Sequence, residues 1–230
     1  MSYIKVLLLG FSVLLLGILY IDKLLKKDKN RVNLYFLILI SFFYIAGVLA
    51  STTKINSSNL FLVTPLSNIS PLMFTLCFVC TFCPNRFKKY FYKLFVNFNI
   101  VMFLAAFISI VFGLSVKSYY FTFIVFDELV HISFGLFTIY LIRSRQVDFQ
   151  LRDLYRNMII IGSVILVAFL LNVALYTRFF GLTVHENYHI YGLQIFGNAL
   201  ISGLVYMTSL IAVMIIGYFL LPLFKYKHKN

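Results

Sequence analysis

The chain has 230 residues, 62% of them hydrophobic and 12% charged, with a mean hydropathy of +0.95. A soluble domain is roughly half apolar and about a quarter charged. The composition therefore excludes a cytosolic α/β enzyme, a disulfide-framed secreted domain and a disordered chain, and fits an integral membrane protein. The net charge of +13 would suggest nucleic acid in a soluble protein. In a membrane protein it asks first which loops carry it, and no nucleic-acid partner is expected.

Seven apolar stretches are long enough to span a bilayer: residues 3–21, 32–50, 61–82, 94–115, 121–142, 158–177 and 198–221. They predict one all-α domain over residues 1–230, a polytopic seven-transmembrane-helix bundle. Backbone groups without water demand helices, and the strict alternation of a barrel strand is absent. The first stretch reads as a span, not a cleavable signal, because Asp22-Lys23 follows it with no small-residue cleavage site. Span two offers a single pair of small residues at helical spacing, Ala46 and Ala50.

Span three carries Thr64, Pro65, Ser67, Asn68, Ser70 and Pro71 in its outer half. Prolines loosen a helix, and hydroxyls and amides suit the wall of a wet cavity. Thr75, Cys77, Cys80 and Cys83 follow. The three cysteines at i, i+3 and i+6 read as small buried side chains before they read as a metal or redox site.

Span five holds Asp127, Glu128 and His131 among fourteen Leu, Ile, Val and Phe residues. Those residues favour insertion by about 4–8 kcal/mol, while each central acidic charge opposes it by about 2.5–3.5. Asp127 and His131 are one turn apart and share a helix face, with Glu128 three residues from His131. A carboxylate that orients an imidazole is what a general base needs. Intramembrane ionisable residues point to function by default.

Span six ends near Asn172. Beyond it, His185-Glu186-Asn187-Tyr188-His189 spells H-E-x-x-H. On a helix this pattern can ligate zinc while the Glu activates water. A third ligand would have to come from elsewhere, such as His131. Otherwise the segment is a polar stretch at headgroup level, with Tyr188 and Tyr191 as interface anchors. Span seven lacks lysine, which excludes a retinal Schiff base there.

The cations fix an orientation. Lys23, Lys26, Lys27, Lys29 and Arg31 lie in the first connection, and Arg86, Lys88, Lys89 and Lys93 in the third. Arg143, Arg145, Arg152 and Arg156 lie in the fifth, and Lys225, Lys227 and Lys229 in the tail. These are sixteen of the twenty; Lys5, Lys54, Lys117 and Arg178 fall on the other side. The positive-inside rule puts the N-terminus outside and the C-terminus in the cytoplasm, with the plasma membrane as the expected location. Asp127, Glu128, His131, Asn172 and the outer half of span three then reach similar depths. They predict one cavity opening outward, with His185, Glu186 and His189 at its mouth.

The order of these features resembles the YwaF-like integral membrane protein family, which is related to a eukaryotic transmembrane acyltransferase branch. The similarity runs from about residue 60 onward. It is carried by Pro71-Leu72-Met73-Phe74-Thr75, His131, Asn172 and Asn187-Tyr188. It implies acyl chemistry with a nucleophile in the third-span motif and a later His as base. Met73 stands where the motif has His, and Thr75 stands where it has Cys. Cys77 lies two residues on, which turns its side chain by about 200°. The nucleophile is therefore Thr75 or Cys77. The spacing of His185 and His189 is also similar to the zinc pair of alkaline-ceramidase-type hydrolases.

The expected function is a membrane enzyme acting on lipid acyl esters, by transfer or hydrolysis. In it, His131 is the base, Asp127 its orienter, and Thr75 or Cys77 the nucleophile. Glu128, Asn172, Asn187, Tyr188 and Ser70 bind substrate, membrane lipid is the partner, and no cofactor is needed. One alternative is a zinc hydrolase using His185, His189 and Glu186. The other is a small-solute transporter or binding module, in which Asp127, Glu128 and His131 bind and do not react.

Overall fold

The computed structural model describes residues 2–52, 69–111, 121–175, 189–190, 193–194 and 199–224. Seven α-helices lie among them: α1 (Ser2–Leu24), α2 (Lys29–Thr52), α3 (Ile69–Phe82), α4 (Asn85–Val111), α5 (Phe121–Arg143), α6 (Leu151–Leu175) and α7 (Ala199–Leu220). A 3₁₀ turn, Leu221–Phe224, follows α7. Strands β1 (His189–Ile190) and β2 (Leu193–Gln194) pair antiparallel, His189 opposite Gln194. Among the described residues, three helical stretches are long and apolar enough to cross a membrane: Lys29–Leu49, Val125–Arg143 and Leu151–Asn172. The described residues are almost wholly helical, and these three stretches fit a membrane protein.

The helices begin where their sequence can satisfy the first turn. Asp28 caps α2, its Oδ1 accepting from the Arg31 N–H at 2.9 Å. Pro84 opens α4, its carbonyl taking the N–H groups of Phe87 and Lys88. Pro71 sits in the first turn of α3, where a missing N–H is harmless. Asp153 reaches back to the Gln150 N–H at 2.9 Å while its own N–H bonds the Gln150 carbonyl, a reciprocal box at the start of α6. Two helices thus start earlier than their apolar runs. α4 takes in Arg86 to Lys93, and α6 takes in Arg152 and Arg156, residues expected in loops. At 27 residues α4 is about 40 Å long, longer than the roughly 30 Å hydrocarbon core of a bilayer.

α5 is the centre. It packs most extensively on α2, then on α4 and α1. Of its apolar span 78% is buried, against 33% for α2 and 28% for α6. α4 is the second hub, touching α3, α6 and α7 as well. α6 buries one stripe, Leu154, Asn157, Ile161, Ile165, Ala168 and Asn172, and exposes Ile159, Leu166, Val167 and Leu170. That one-sided pattern has an apolar exposed face, as a helix facing lipid would.

α1 lies close to α5 through two glycines seven residues apart, which share a helix face. Gly10 faces Glu128 and Ile132, and Gly17 faces Leu136. Phe36 of α2, Phe95 of α4 and Phe134 and Phe137 of α5 form an aromatic layer across the bundle. Their ring centroids are 5.0 Å (Phe36–Phe137), 5.3 Å (Phe95–Phe137) and 6.0 Å (Phe95–Phe134) apart.

Below this layer, at the inner end predicted by the cations, is a polar network. The Asn33 amide donates to the Tyr92 hydroxyl at 2.7 Å and to Gln146 Oε1 at 2.9 Å. Gln146 donates in turn to Ser144 Oγ at 2.9 Å. The Lys93 ammonium meets Asp153 at 2.6 Å, and Arg143 meets Asp22 at 3.0 Å. α5 ends in a Schellman cap: Gln146 N–H bonds the Leu141 carbonyl and Arg145 N–H that of Ile142. Arg145 holds the left-handed position with φ 55°.

Candidate functional site

A helix buried on several sides offers its polar residues no water, so each must find a partner inside the protein. On α5 these residues are Glu128, His131, Ser133, Thr138 and Tyr140, all buried. Ser133 resolves this locally, donating to the Leu129 carbonyl one turn back at 2.7 Å. Ser12, Thr75, Thr81 and Ser163 do the same on their own helices. Such bonds hide a hydroxyl from the apolar surroundings.

His131 is 5% exposed, and its Nδ1 lies 2.7 Å from the Asp127 backbone carbonyl. A carbonyl only accepts, so Nδ1 carries a proton, and Nε2 is the ring nitrogen left for other partners. The Asp127 carboxylate is further off, at 3.6 Å, and 45% exposed. The backbone, more than the carboxylate, orients this imidazole. The edge of the ring pair between His131 and Phe134 links the site to the aromatic layer. Glu128, also 5% exposed, is turned to α1, where Gly10 leaves the space for its carboxyl group. A Cβ at Gly10 would stand 3.2 Å from Glu128 Oε1.

The register of α4 against α5 adds a residue that sequence reasoning missed. Tyr92 meets Phe137, and Phe95 meets Phe134 and Phe137, so the two helices run antiparallel. One turn outward from Phe95, on the same face, stands Asn99; one turn outward from Phe134 stands His131. Asn99 is 0% exposed, and among the described residues neither its amide nitrogen nor its oxygen has a hydrogen-bond partner. Asn97, Thr138 and Tyr140 are in the same position. Burying a polar group unpaired costs about 1–3 kcal/mol, and such groups in a native protein ask for water, an ion or a solute. The signal was present as two amides inside the apolar stretch 94–115, but their spacing of two gave no shared helix face.

The other expected site residues are more scattered. Thr75 donates its hydroxyl to the Pro71 carbonyl at 2.9 Å. Its helix, α3, packs on α2 and α4, with no comparable packing on α5. Cys77 and Cys80 are fully buried, the setting usual for cysteines that pack. Ser70 is in the first turn of α3. Asn172 is fully buried at the outer end of the α6 stripe. His185, Glu186, Asn187 and Tyr188 lie outside the described residues. His189 opens strand β1, so at that residue the segment is not the helix on which H-E-x-x-H would align its ligands. Among the described residues no three His, Cys, Asp or Glu side chains form a group able to hold a metal.

Compared with known protein families, curated proteins and solved structures, the chain matches none.

Proposed function

We propose that this is an integral membrane protein of seven spanning helices that binds and passes a small polar species through a site made by Glu128, His131 and Asn99. The supporting observation is the burial of all three, 5% exposed or less, on the two hub helices of the bundle. Intramembrane ionisable residues turned inward mark ion or substrate paths, and the unpartnered Asn99 amide supplies a donor and an acceptor for a ligand. The sixteen cations clustered on one side favour an N-terminus outside and a C-terminus in the cytoplasm of a plasma membrane. The site then opens outward above the aromatic layer, with lipid as solvent.

A second reading keeps the lipid acyl ester as substrate, in line with the resemblance to the YwaF-like family. It is favoured by the Nδ1 anchor of His131, which makes Nε2 the basic nitrogen. Against it stands Thr75, whose hydroxyl is directed to its own helix.

The test is the full-length protein in nanodiscs, as wild type, His131→Gln and His131→Ala. Retention of labelled amino acids and small organic cations, and proton uptake reported by a pH indicator, are measured beside turnover of fluorogenic phospholipid esters. We expect binding of one of these species that falls roughly tenfold or more in both variants, without ester turnover. Ester turnover by the wild type, lost in His131→Gln with solute retention unchanged, overturns the binding reading in favour of the acyl one. Stoichiometric zinc with chelator-sensitive turnover would move it to a zinc hydrolase.

A further inference from the structure

We propose that the species carried is the proton, and that the layer of Phe36, Phe95, Phe134 and Phe137 is the gate it must pass. This rests on the reading of Glu128 and His131 as a binding site and names what that site carries.

Charge balance is the first argument. Among the described residues, the helices packed on α5 bring no counter-cation to this depth. α1 has no charged residue between Lys5 and Asp22, α2 none beyond Arg31, and α4 none beyond Lys93. Among the described side chains of these helices the tyrosines lie elsewhere: Tyr20 and Tyr35 are exposed, Tyr44 stacks on Phe74 of α3, Tyr90 lies under Arg156, and Tyr92 is below the phenylalanines. Asp127, on α5 itself, is the remaining charged neighbour among the described residues, and it is half-exposed. A buried carboxyl and imidazole one turn apart, without lysine or arginine, balance each other through the protons they hold. That arrangement is a proton store.

The second argument is the set of buried polar groups on both sides of the layer. Asn99 stands above it at the His131 level. Thr138, seven residues after His131 and therefore on the same α5 stripe, stands just below Phe137, followed by Tyr140. All three are fully buried, and among the described residues their side-chain polar atoms have no hydrogen-bond partner. An amide and two hydroxyls each donate and accept, which is the pattern that orders water. Below them the chain of Tyr92, Asn33, Gln146 and Ser144 continues to the inner end of α5.

The phenylalanines separate these halves with a dry layer, their centroids 5.0–6.0 Å apart. An apolar constriction with hydratable groups on either side gates by wetting. A hydrated metal ion would have to shed its shell there, whereas a proton needs one transient file of water. The transfer exchanges O–H and N–H bonds: a proton enters from outer water to Glu128 or His131 and leaves to inner water, with no redox change.

The experiment uses the full chain in phosphatidylcholine–phosphatidylglycerol vesicles loaded with pyranine, with proton entry driven by a potassium gradient and valinomycin. We expect acidification several-fold faster than in empty vesicles. Glu128→Gln and His131→Gln should return it to the empty-vesicle rate, and Phe137→Leu should raise it above wild type. Phe95→Leu serves as a second opening variant, and each variant is scored in fractions that elute as the wild type does. Wild type, Phe137→Leu and Phe95→Leu all matching empty vesicles would overturn the proposal. So would proton entry that survives Glu128→Gln and His131→Gln. Uptake of labelled sodium or an amino acid that depends on His131 while interior pH stays constant overturns the proton and leaves the binding site standing. Loss of any dependence on His131 removes both.

Discussion

Gly17 of α1 lies directly against the side chain of Leu136 of α5, where a Cβ would meet Leu136 Cδ2 at 2.7 Å and Cγ at 3.1 Å. Leu136 is buried, so it has little room to yield. Gly17→Ala should destabilise the protein by about 1–3 kcal/mol, the usual penalty for overpacking. Adding Leu136→Ala should recover part of that loss, because the two changes share one contact. Thermal melting in detergent of both singles and the double checks it. Additive losses would show that the two helices do not meet there.

Asn99→Leu should raise stability by about 1–3 kcal/mol, since it replaces an unpaired buried amide with an apolar side chain of similar size. The same change should weaken ligand retention at the site. Stability gained as function is lost is the behaviour of a functional polar residue. A variant that loses stability would show that Asn99 is a structural polar partner.

Asp153 makes two bonds with one oxygen, to the Lys93 ammonium and to the Gln150 N–H. Asp153→Asn keeps an acceptor for the helix start and gives up the ion pair; Asp153→Ala gives up both. The expected melting order is wild type, then Asn, then Ala, with the Ala variant about 1–2 kcal/mol below wild type. Raised salt should narrow the gap between wild type and Asn by little, because both partners are largely buried.

Arg145 occupies a left-handed position that glycine fills without strain. Arg145→Gly should stabilise the end of α5 by up to about 1 kcal/mol, whereas Arg145→Ala keeps the Cβ and should bring no gain. Comparing the two melting curves separates backbone strain from the loss of the charge.

Much of the bundle was readable from hydrophobic runs. The run 121–142 and helix α5 (Phe121–Arg143) nearly coincide, because a stretch that must bury its backbone in lipid has clear ends. Glu128 and His131 stood out as exceptions inside such a run. Lys93 and Asp153 did not, since charges beyond an apolar stretch read as loop, and only the caps at Pro84 and Gln150 show that the helices extend through them. Asn99 was hidden for another reason. Its meaning lies in which α5 residue it opposes, and that depends on how Phe95 meets Phe134. On a helix the literal H-E-x-x-H would have shared one face, but His189 begins a strand, and strand periodicity does not bring i and i+4 together in that way. The two glycines of α1 were visible as letters, but their role depends on Glu128 and Leu136, more than a hundred residues away.

The position of α5 in the chain matters for how the protein is made. Alone in a bilayer, a helix bearing Asp127, Glu128 and His131 is a poor resident. By the time it leaves the ribosome, α1, α2 and α4, the three helices that wrap it, have already been synthesised. Gly10 on the first of them keeps a berth for the Glu128 carboxyl group. The reluctant span is thus received by a waiting half-bundle, and α6 and α7 arrive afterwards to close it against α4. Reordering the helices by circular permutation, so that α5 is made first, would strand it without hosts.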